Sequence, residues 1–189
     1  MKRIAFILLL LALISGCSSD PVARPIGYMR IGLPDTARVA FTNELCSFSM
    51  ELNDASNVRY KDSANCWIDI VYPSIMSTIQ LTYKPVEENL EDLVRDAQKL
   101  AYKHTVKASG MREQFFTYDQ RNVHGLYYEM SGASATTTQF YATDSTHHFI
   151  RGVLYHYSAP NPDSLAPVTQ FMREEMLHMI STLDWNEQE

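Results

Sequence analysis

The chain has 189 residues, a formal net charge of −6 at neutral pH and three cysteines. This length suits a single domain. The acidic balance, with no basic run to offset it, argues against nucleic-acid binding, because the chain would repel a phosphate backbone.

The first 16 residues have the pattern of a secretory signal peptide. A cationic start over residues 1–3 precedes an unbroken apolar run of 11 residues, from 4 to 14. This run is too short to span a bilayer as a helix, which takes about 20 residues. The motif Ile-Ser-Gly-Cys, which ends at Cys17, resembles the bacterial lipobox, whose cysteine is lipidated and becomes the mature N-terminus. We therefore predict a signal peptide over residues 1–16 and a lipid on Cys17; the alternative is an ordinary secretory peptide.

The predicted lipid determines the location of the protein. Several acyl chains anchor a protein stably, because each buried CH₂ contributes roughly 0.8 kcal/mol. Residues 17–27 are predicted to form a lipidated tether, and residues 28–189 a single envelope domain. Removing the signal peptide leaves 189 − 16 = 173 residues and takes the charge from −6 to −8, since two basic residues are lost. Ser18 favours the outer membrane, so we expect a lipid-anchored protein of the cell envelope, in the outer membrane and facing the periplasm.

Two further cysteines, Cys46 and Cys66, remain in the mature chain. In an exported protein such a pair is a disulfide candidate. By the chain-entropy argument, closing a loop of about 20 residues stabilises a fold by on the order of 3 kcal/mol. Each cysteine precedes a predicted strand, but the sequence does not show that the two strand ends meet. Two buried free thiols are the alternative.

The first half of the domain shows the two-residue period of half-buried strands. Strands are predicted at 47–52, 67–72 and 78–83, and the polar stretch from 53 to 65 is predicted to be a loop.

The period then changes to the three- and four-residue spacing of a helix. Its apolar face consists of Leu90, Leu93, Val94, Ala97, Leu100, Ala101 and His104. We predict that the Asn89 side chain caps this helix and that Gly110 ends it.

Four more strands are predicted, followed by a final helix. The strands are predicted at 114–118, 123–130, 136–143 and 147–157. The final helix is predicted to be capped by Ser164, with Pro167 in its first turn, where a proline is tolerated. This order of elements indicates an α+β fold, a single domain in which a largely antiparallel sheet is covered by two main helices.

The stretch from Thr143 to His148 collects an acid, a serine, two threonines and two histidines. A hairpin turn explains it, because Asp and Ser side chains accept hydrogen bonds from nearby backbone N–H groups. Adjacent His147 and His148 would point to opposite faces of a strand, which argues against a metal site. Gly132 to Thr136 lacks the last glycine of a nucleophile elbow. With no phosphate-binding or dinucleotide motif either, we expect no metal and no cofactor.

Four polar residues are candidates for contact or structural roles: His104, Lys107, Asp144 and Arg151. His104 lies on the apolar helix face near Lys107, where a buried histidine with a hydrogen-bonded ring is the simpler interpretation and a proton-sensing contact the alternative. Arg151 is expected to pair with an acid such as Asp144 or Glu129. A second hypothesis places His104, Asp144 and Arg151 together in a ligand-binding or hydrolytic pocket.

Several separated stretches resemble the gliding motility lipoprotein family GldD of the Bacteroidota, in the same order along nearly all of the mature chain. The matching stretches are 24–31 (RPIGYMRI), 46–49 (CSFS), 81–84 (LTYK), 103–108 (KHTVKA), 139–145 (QFYATDS), 149–155 (FIRGVLY), 160–167 (PNPDSLAP) and 182–185 (TLDW). Ser47 and His156 depart from the family pattern, which has proline and an aromatic residue there.

The resemblance implies an envelope lipoprotein needed for gliding, in a lineage whose motility is coupled to type IX protein secretion. It implies no enzymatic activity and no catalytic residues. The implied partners are the membrane, through the N-terminal lipid, and other gliding or type IX secretion proteins. The pairing of helices and meander is also similar to the PsbP and Mog1-like sandwich, by analogy of fold alone. A structural or ligand-binding envelope lipoprotein is the alternative function.

Overall fold

The computed structural model describes residues 31–104, 108–158 and 161–186. Ten strands and two α-helices in these ranges form an α+β domain, which confirms the predicted fold class. The strands are β1 (Arg38–Phe41), β2 (Phe48–Asn53), β3 (Asn57–Asp62), β4 (Trp67–Tyr72), β5 (Ser77–Pro85), β6 (Ala108–Tyr118), β7 (Val123–Gly132), β8 (Thr138–Thr143), β9 (His148–His156) and β10 (Asp184–Trp185). The helices are α1 (Leu90–Lys103) and α2 (Pro162–Thr182). Neither helix is long and apolar enough to cross a membrane.

Seven strands form one antiparallel sheet in the order β3-β4-β5-β9-β8-β7-β6. Strand β9 returns beside β5 and pairs with it from Ser77↔His156 to Pro85↔His148. The meander from β6 to β9 therefore extends the sheet begun by β3, β4 and β5. Strands β1, β2 and β10 form a separate sheet in the order β1-β2-β10.

One face of the seven-stranded sheet packs against α2 and the three-stranded sheet. We call it the α2 face. Alternate residues of the central strands, such as Ile70, Ile79 and Leu154, join Met172 and Met176 of α2 in one cluster. All five are fully buried. Because each such side chain contributes about 1.5–3 kcal/mol when removed from water, most of the apolar stabilisation comes from this face.

The opposite face packs against α1, and we call it the α1 face. Here Leu93, Ala97 and Ala101 contact a smaller cluster that includes Tyr141 and Phe149. Helix α1 has 14 residues and lies over β8 and β9. It leaves a cleft open on its β4–β5 side.

A disulfide joins the three-stranded sheet to the larger one. Cys46 and Cys66 form this bond, with their Cα atoms 5.3 Å apart and a sequence separation of 20. Both side chains are buried. The bond links the turn before β2 to the turn before β4 and so fixes the two sheets against each other.

A buried carboxylate lies between the same two layers. Glu175 of α2 is 1% exposed and accepts hydrogen bonds from Arg38 at 2.6 Å and from the Tyr72 hydroxyl at 3.1 Å. A buried charge is tolerated when it is paired and hydrogen-bonded in this way.

Two sequence predictions, one about a loop and one about the end of the first helix, are wrong. Strand β3 (Asn57–Asp62) lies inside the stretch that was predicted to be a loop. Its side chains are mostly exposed because β3 is an edge strand, so it lacks the apolar alternation of a half-buried strand. Gly110 does not end the first helix, which stops at Lys103; Gly110 lies within β6.

The caps of both helices also differ from prediction. Asn89 occupies the N-cap position of α1, but its side chain accepts from the Glu87 N–H rather than from the helix. The N-cap of α2 is Asn161, whose side chain accepts from the Ser164 N–H, and Pro162 takes the first helical position. Pro167 therefore lies inside the helix instead of in its first turn.

Candidate functional site

Two of the residues singled out from the sequence, Cys17 and Lys107, lie outside the described residues. The other polar candidates, His104, Asp144 and Arg151, are at three different places on the α1 face and its edges.

Asp144 organises the turn between β8 and β9. Its Oδ1 accepts hydrogen bonds from the backbone N–H groups of Thr146, His147 and His148 at 3.0, 2.9 and 2.8 Å. Burial alone would raise the pKa of Asp144, but the hydrogen bonds from His148, His147 and Thr146 outweigh it and lower the pKa to about 2. The carboxylate therefore stabilises a hairpin turn.

The two adjacent histidines of this turn diverge. The His147 side chain is 78% exposed, whereas His148 stacks on Trp185 with ring centroids 5.1 Å apart. Within the described ranges, no group of three or more His, Cys, Asp or Glu side chains is placed to hold a metal ion.

His104 follows the last residue of α1. Its backbone carbonyl accepts a hydrogen bond from the Ser134 hydroxyl at 3.1 Å, which ties the helix end to the β7–β8 turn. The side chain is half-buried, whereas the sequence predicted a buried ring. Burial, together with the positive charges of Arg151 and Lys103, lowers the pKa of His104.

Arg151 extends from β9 towards α1 and donates a hydrogen bond from Nη2 to Oε1 of Gln139 at 2.5 Å. The predicted ion pair with Asp144 or Glu129 is wrong. Glu129 lies on the α2 face of β7, where it pairs with Arg112 at 2.8 Å and Arg173 at 3.9 Å. The Asp144 carboxylate accepts hydrogen bonds from the backbone of its own turn instead. A strand places successive side chains on opposite faces, and this separates Arg151 from Glu129.

Arg151 lies at the floor of a cleft of about 280 Å³ between α1 and strands β4, β5 and β9. We call it the Arg151 cleft. Its lining consists of Trp67, Thr82, Lys84, Leu93, Asp96, Ala97, Leu100, Phe149 and Arg151. Neither His104 nor Asp144 belongs to this lining, so the hypothesis of one pocket that contains all three residues is wrong.

No pattern in the sequence predicts this cleft, because its walls come from three strands and a helix, and only the strand register brings their residues together. Thr82 lies directly opposite Arg151, and Lys84 opposite Phe149, in the β5–β9 pair. Arg151 itself was identified only as a charge on an inner strand.

A second cleft, of about 400 Å³, lies between the first half of α2 and the β7–β8 turn. Its two basic side chains, His156 and Arg173, already have partners. His156 contacts the hydroxyls of Ser77 and Thr169 at 2.8 and 3.2 Å. Arg173 donates to the carbonyl of Met130 and to other groups of the β7–β8 turn. These groups stabilise the attachment of α2 to the sheet.

Comparison with known proteins identifies a family and a fold. The family model described as "Gliding motility lipoprotein GldD" matches residues 18–185. Among curated proteins, none matches the chain significantly. The solution structure of cyanobacterial PsbP (CyanoP) from Synechocystis sp. PCC 6803 is similar, with a TM-score of 0.50 and 8% identity over 86% of this chain and 99% of that one. At this identity the likeness shows the fold alone, and it confirms the predicted PsbP-like architecture.

Proposed function

Because the chain belongs to the gliding motility lipoprotein family GldD, we propose that it is a non-catalytic accessory component of bacterial gliding and of the associated type IX secretion machinery. It acts as an interaction module. Cys17 carries the lipid that anchors it to the outer membrane on the periplasmic side. The observation that carries this proposal is the family match over residues 18–185, which includes every helix and strand described.

The proposed topology follows from the start of the chain. A signal peptide over residues 1–16 exports the protein, the lipid on Cys17 fixes it to the membrane, and residues 17–27 link the anchor to the domain that begins at 28. The Cys46–Cys66 disulfide is consistent with an oxidising compartment such as the periplasm. The partners are other envelope proteins of the gliding or secretion machinery in a member of the Bacteroidota.

Deletion of the gene in its host, with complementation, tests the proposal. We expect the deletion strain to stop spreading and to retain type IX cargo in the periplasm. The wild-type gene and the control variant Ser18→Ala are expected to restore both properties, and Cys17→Ala neither. A surface and extracellular proteome equal to that of the parent would exclude the secretion role, and unchanged spreading as well would exclude the motility role.

Photo-crosslinking in the complemented strain separates an interaction module from a purely structural protein. A photoreactive residue is placed at Phe115, Leu100 or Leu177, whose side chains are 80%, 40% and 40% exposed on β6, α1 and α2. We expect at least one position to capture a discrete envelope protein that is absent from the same strain without irradiation. Capture of none from any of these three surfaces would contradict an interaction role.

A further inference from the structure

The Arg151 cleft contains a cation without a matching anion. Among the described residues, the guanidinium makes one hydrogen bond, to the neutral side chain of Gln139. Asp96 also lines the cleft but forms no ion pair with Arg151. A guanidinium carries five N–H donors in a planar fork, so most of the Arg151 donors have no partner among the described residues. An unpaired, half-buried charge costs stability, and its presence calls for an explanation.

A second polar group on the same face has no hydrogen-bond partner among the described residues. Tyr128 of β7 is 1% exposed, and its hydroxyl forms no hydrogen bond with any described residue. It lies next to Arg151 through the register, because Tyr128 is opposite Gln139, the residue that contacts the guanidinium. Gln139 therefore lies between a guanidinium with one neutral partner and a buried hydroxyl with none among the described residues, whereas buried polar groups are normally paired.

The remaining lining of the cleft defines what else a ligand would touch. Leu93, Ala97 and Leu100 of α1 form one wall, and Trp67 and Phe149 of the sheet form apolar surface opposite. Leu100 and Trp67 are 40% and 38% exposed, so the apolar surface reaches the mouth of the cleft. Lys84 adds a second positive charge and Asp96 a single negative one, which leaves the lining with a net positive charge.

We propose that the Arg151 cleft is a binding site for a carboxylate carried on an apolar group, with the carboxylate on the Arg151 guanidinium and the apolar group between Leu100 and Trp67. The planar guanidinium matches a carboxylate in a bidentate geometry. The volume, about 280 Å³, is near the lower limit of small-molecule sites, about 300 Å³, and suits one short side chain or a small acid. The apolar walls favour a monocarboxylate over a strongly hydrated phosphate dianion.

The same chemistry has two sources, a free small acid and the C-terminal carboxylate of a polypeptide with an apolar last residue. The inference does not depend on the proposed role in motility, because it concerns binding by the purified protein. Its failure would leave the genetic test of that role unaffected.

Titration of full-length protein in a neutral detergent, with detergent alone as the blank, tests the site. The probes are 3-phenylpropionate, its neutral amide, phenyl phosphate, and an acetylated pentapeptide ending in leucine as free acid or as amide. The Trp67 indole N–H resonance reports binding at the cleft, and calorimetry gives the affinity. We expect 3-phenylpropionate to shift this resonance with a dissociation constant of about 1 mM, as suits a small ligand, and the neutral amide to bind at least tenfold more weakly.

Variants assign the binding to the guanidinium. Arg151→Gln is expected to weaken carboxylate binding by about 10- to 100-fold, the range for a lost charged hydrogen-bond pair. Arg151→Lys, which keeps the charge but lacks the planar fork, is expected to have an intermediate effect. The matched control is Arg112→Gln, which removes an exposed arginine paired with Glu129 and leaves the cleft intact. Circular dichroism confirms that each variant is folded.

Each outcome decides the proposal. Tighter binding of the free-acid peptide than of 3-phenylpropionate assigns the site to polypeptide C-termini, and the reverse assigns it to small acids. Equal binding of acid and amide, equal binding by Arg151→Gln and wild type, tighter binding of phenyl phosphate, or no shift of the Trp67 resonance at 10-fold the expected dissociation constant would overturn it.

Discussion

The two faces of the seven-stranded sheet differ in how completely they are packed. On the α2 face, 25 buried apolar residues of the described chain form one cluster, whereas the cluster on the α1 face has eight. The charged group buried on the α2 face, Glu175, is paired with Arg38 and Tyr72. On the α1 face, the buried Asp69 is paired with Lys61 at 3.3 Å, but among the described residues Arg151 has only a neutral partner and the Tyr128 hydroxyl has none.

This difference indicates that the two faces of the sheet have different roles. The α2 face joins both sheets, the long helix and the disulfide, so it provides most of the stability. The α1 face is covered by a shorter helix, keeps an open cleft and retains polar groups that packing does not satisfy. Unsatisfied groups of this kind are characteristic of functional surfaces, where a protein gives up stability for binding.

The largest expected effect is a paired comparison of core truncations. We expect Ile70→Ala, on the α2 face, to lower the free energy of unfolding by about 4 kcal/mol, because the residue is fully buried and its neighbours cannot collapse into the cavity. Leu93→Ala, beside the Arg151 cleft and 8% exposed, is expected to cost about 2 kcal/mol, since the cleft already admits water. Urea unfolding followed by circular dichroism measures both. Equal losses would contradict the proposed difference between the faces.

The disulfide is expected to have the next largest effect. The double variant Cys46→Ala/Cys66→Ala should lose about 3 kcal/mol, because the unfolded chain is no longer constrained by the loop of 20 residues. Cys17→Ala is the control, since it removes a cysteine without removing the bond. Unfolding in urea with and without a reducing agent provides the measurement, and a wild-type protein insensitive to reduction would contradict the prediction.

The sequence predicted the elements that bury one face and missed those that do not. Strand β4 was predicted at 67–72 and is found at Trp67–Tyr72, because its apolar run is bounded by Pro73. The start of α1 at Leu90 followed from the change of period. Strand β3 and the first half of β6 are largely exposed edge strands, so their side chains carry no periodic signal.

The site was less predictable than the fold because it depends on register. Arg151 was identified from the sequence, but its partner was expected to be an acid and is Gln139, 12 residues earlier. No local pattern shows that β8 places Gln139 within reach of Arg151 while β7 directs Glu129 to the other face. The cleft exists because α1 lies over β8 and β9 and stops short of β4, a packing result that composition and periodicity do not encode.

The turn between β8 and β9 should make stability depend on acid pH. The folded-state pKa of Asp144, about 2, is below its ordinary value of 3.8. The folded state therefore favours the carboxylate, and this stabilisation is fully present above about pH 4 and is lost as the pH falls towards 2. Asp144→Ala is expected to cost about 1–2 kcal/mol at pH 7 through its lost hydrogen bonds. Its unfolding free energy should also fall less steeply than that of the wild type between pH 4 and 2; parallel curves would contradict this assignment.

The smallest expected effect on stability is that of replacing Arg151. A charge that stabilised the fold would cost several kcal/mol to remove, as breaking a buried ion pair does, about 3–5 kcal/mol. Arg151 has no ionic partner among the described residues, so Arg151→Met should lower the free energy of unfolding by only about 1 kcal/mol, through the lost hydrogen bond to the buried Gln139 side chain. Urea unfolding, run beside Glu175→Gln as the paired-charge control, measures the contrast. If Arg151→Met destabilised the protein as much as Glu175→Gln, the guanidinium would be a structural element of the α1 face. That outcome would contradict the proposed difference between the two faces.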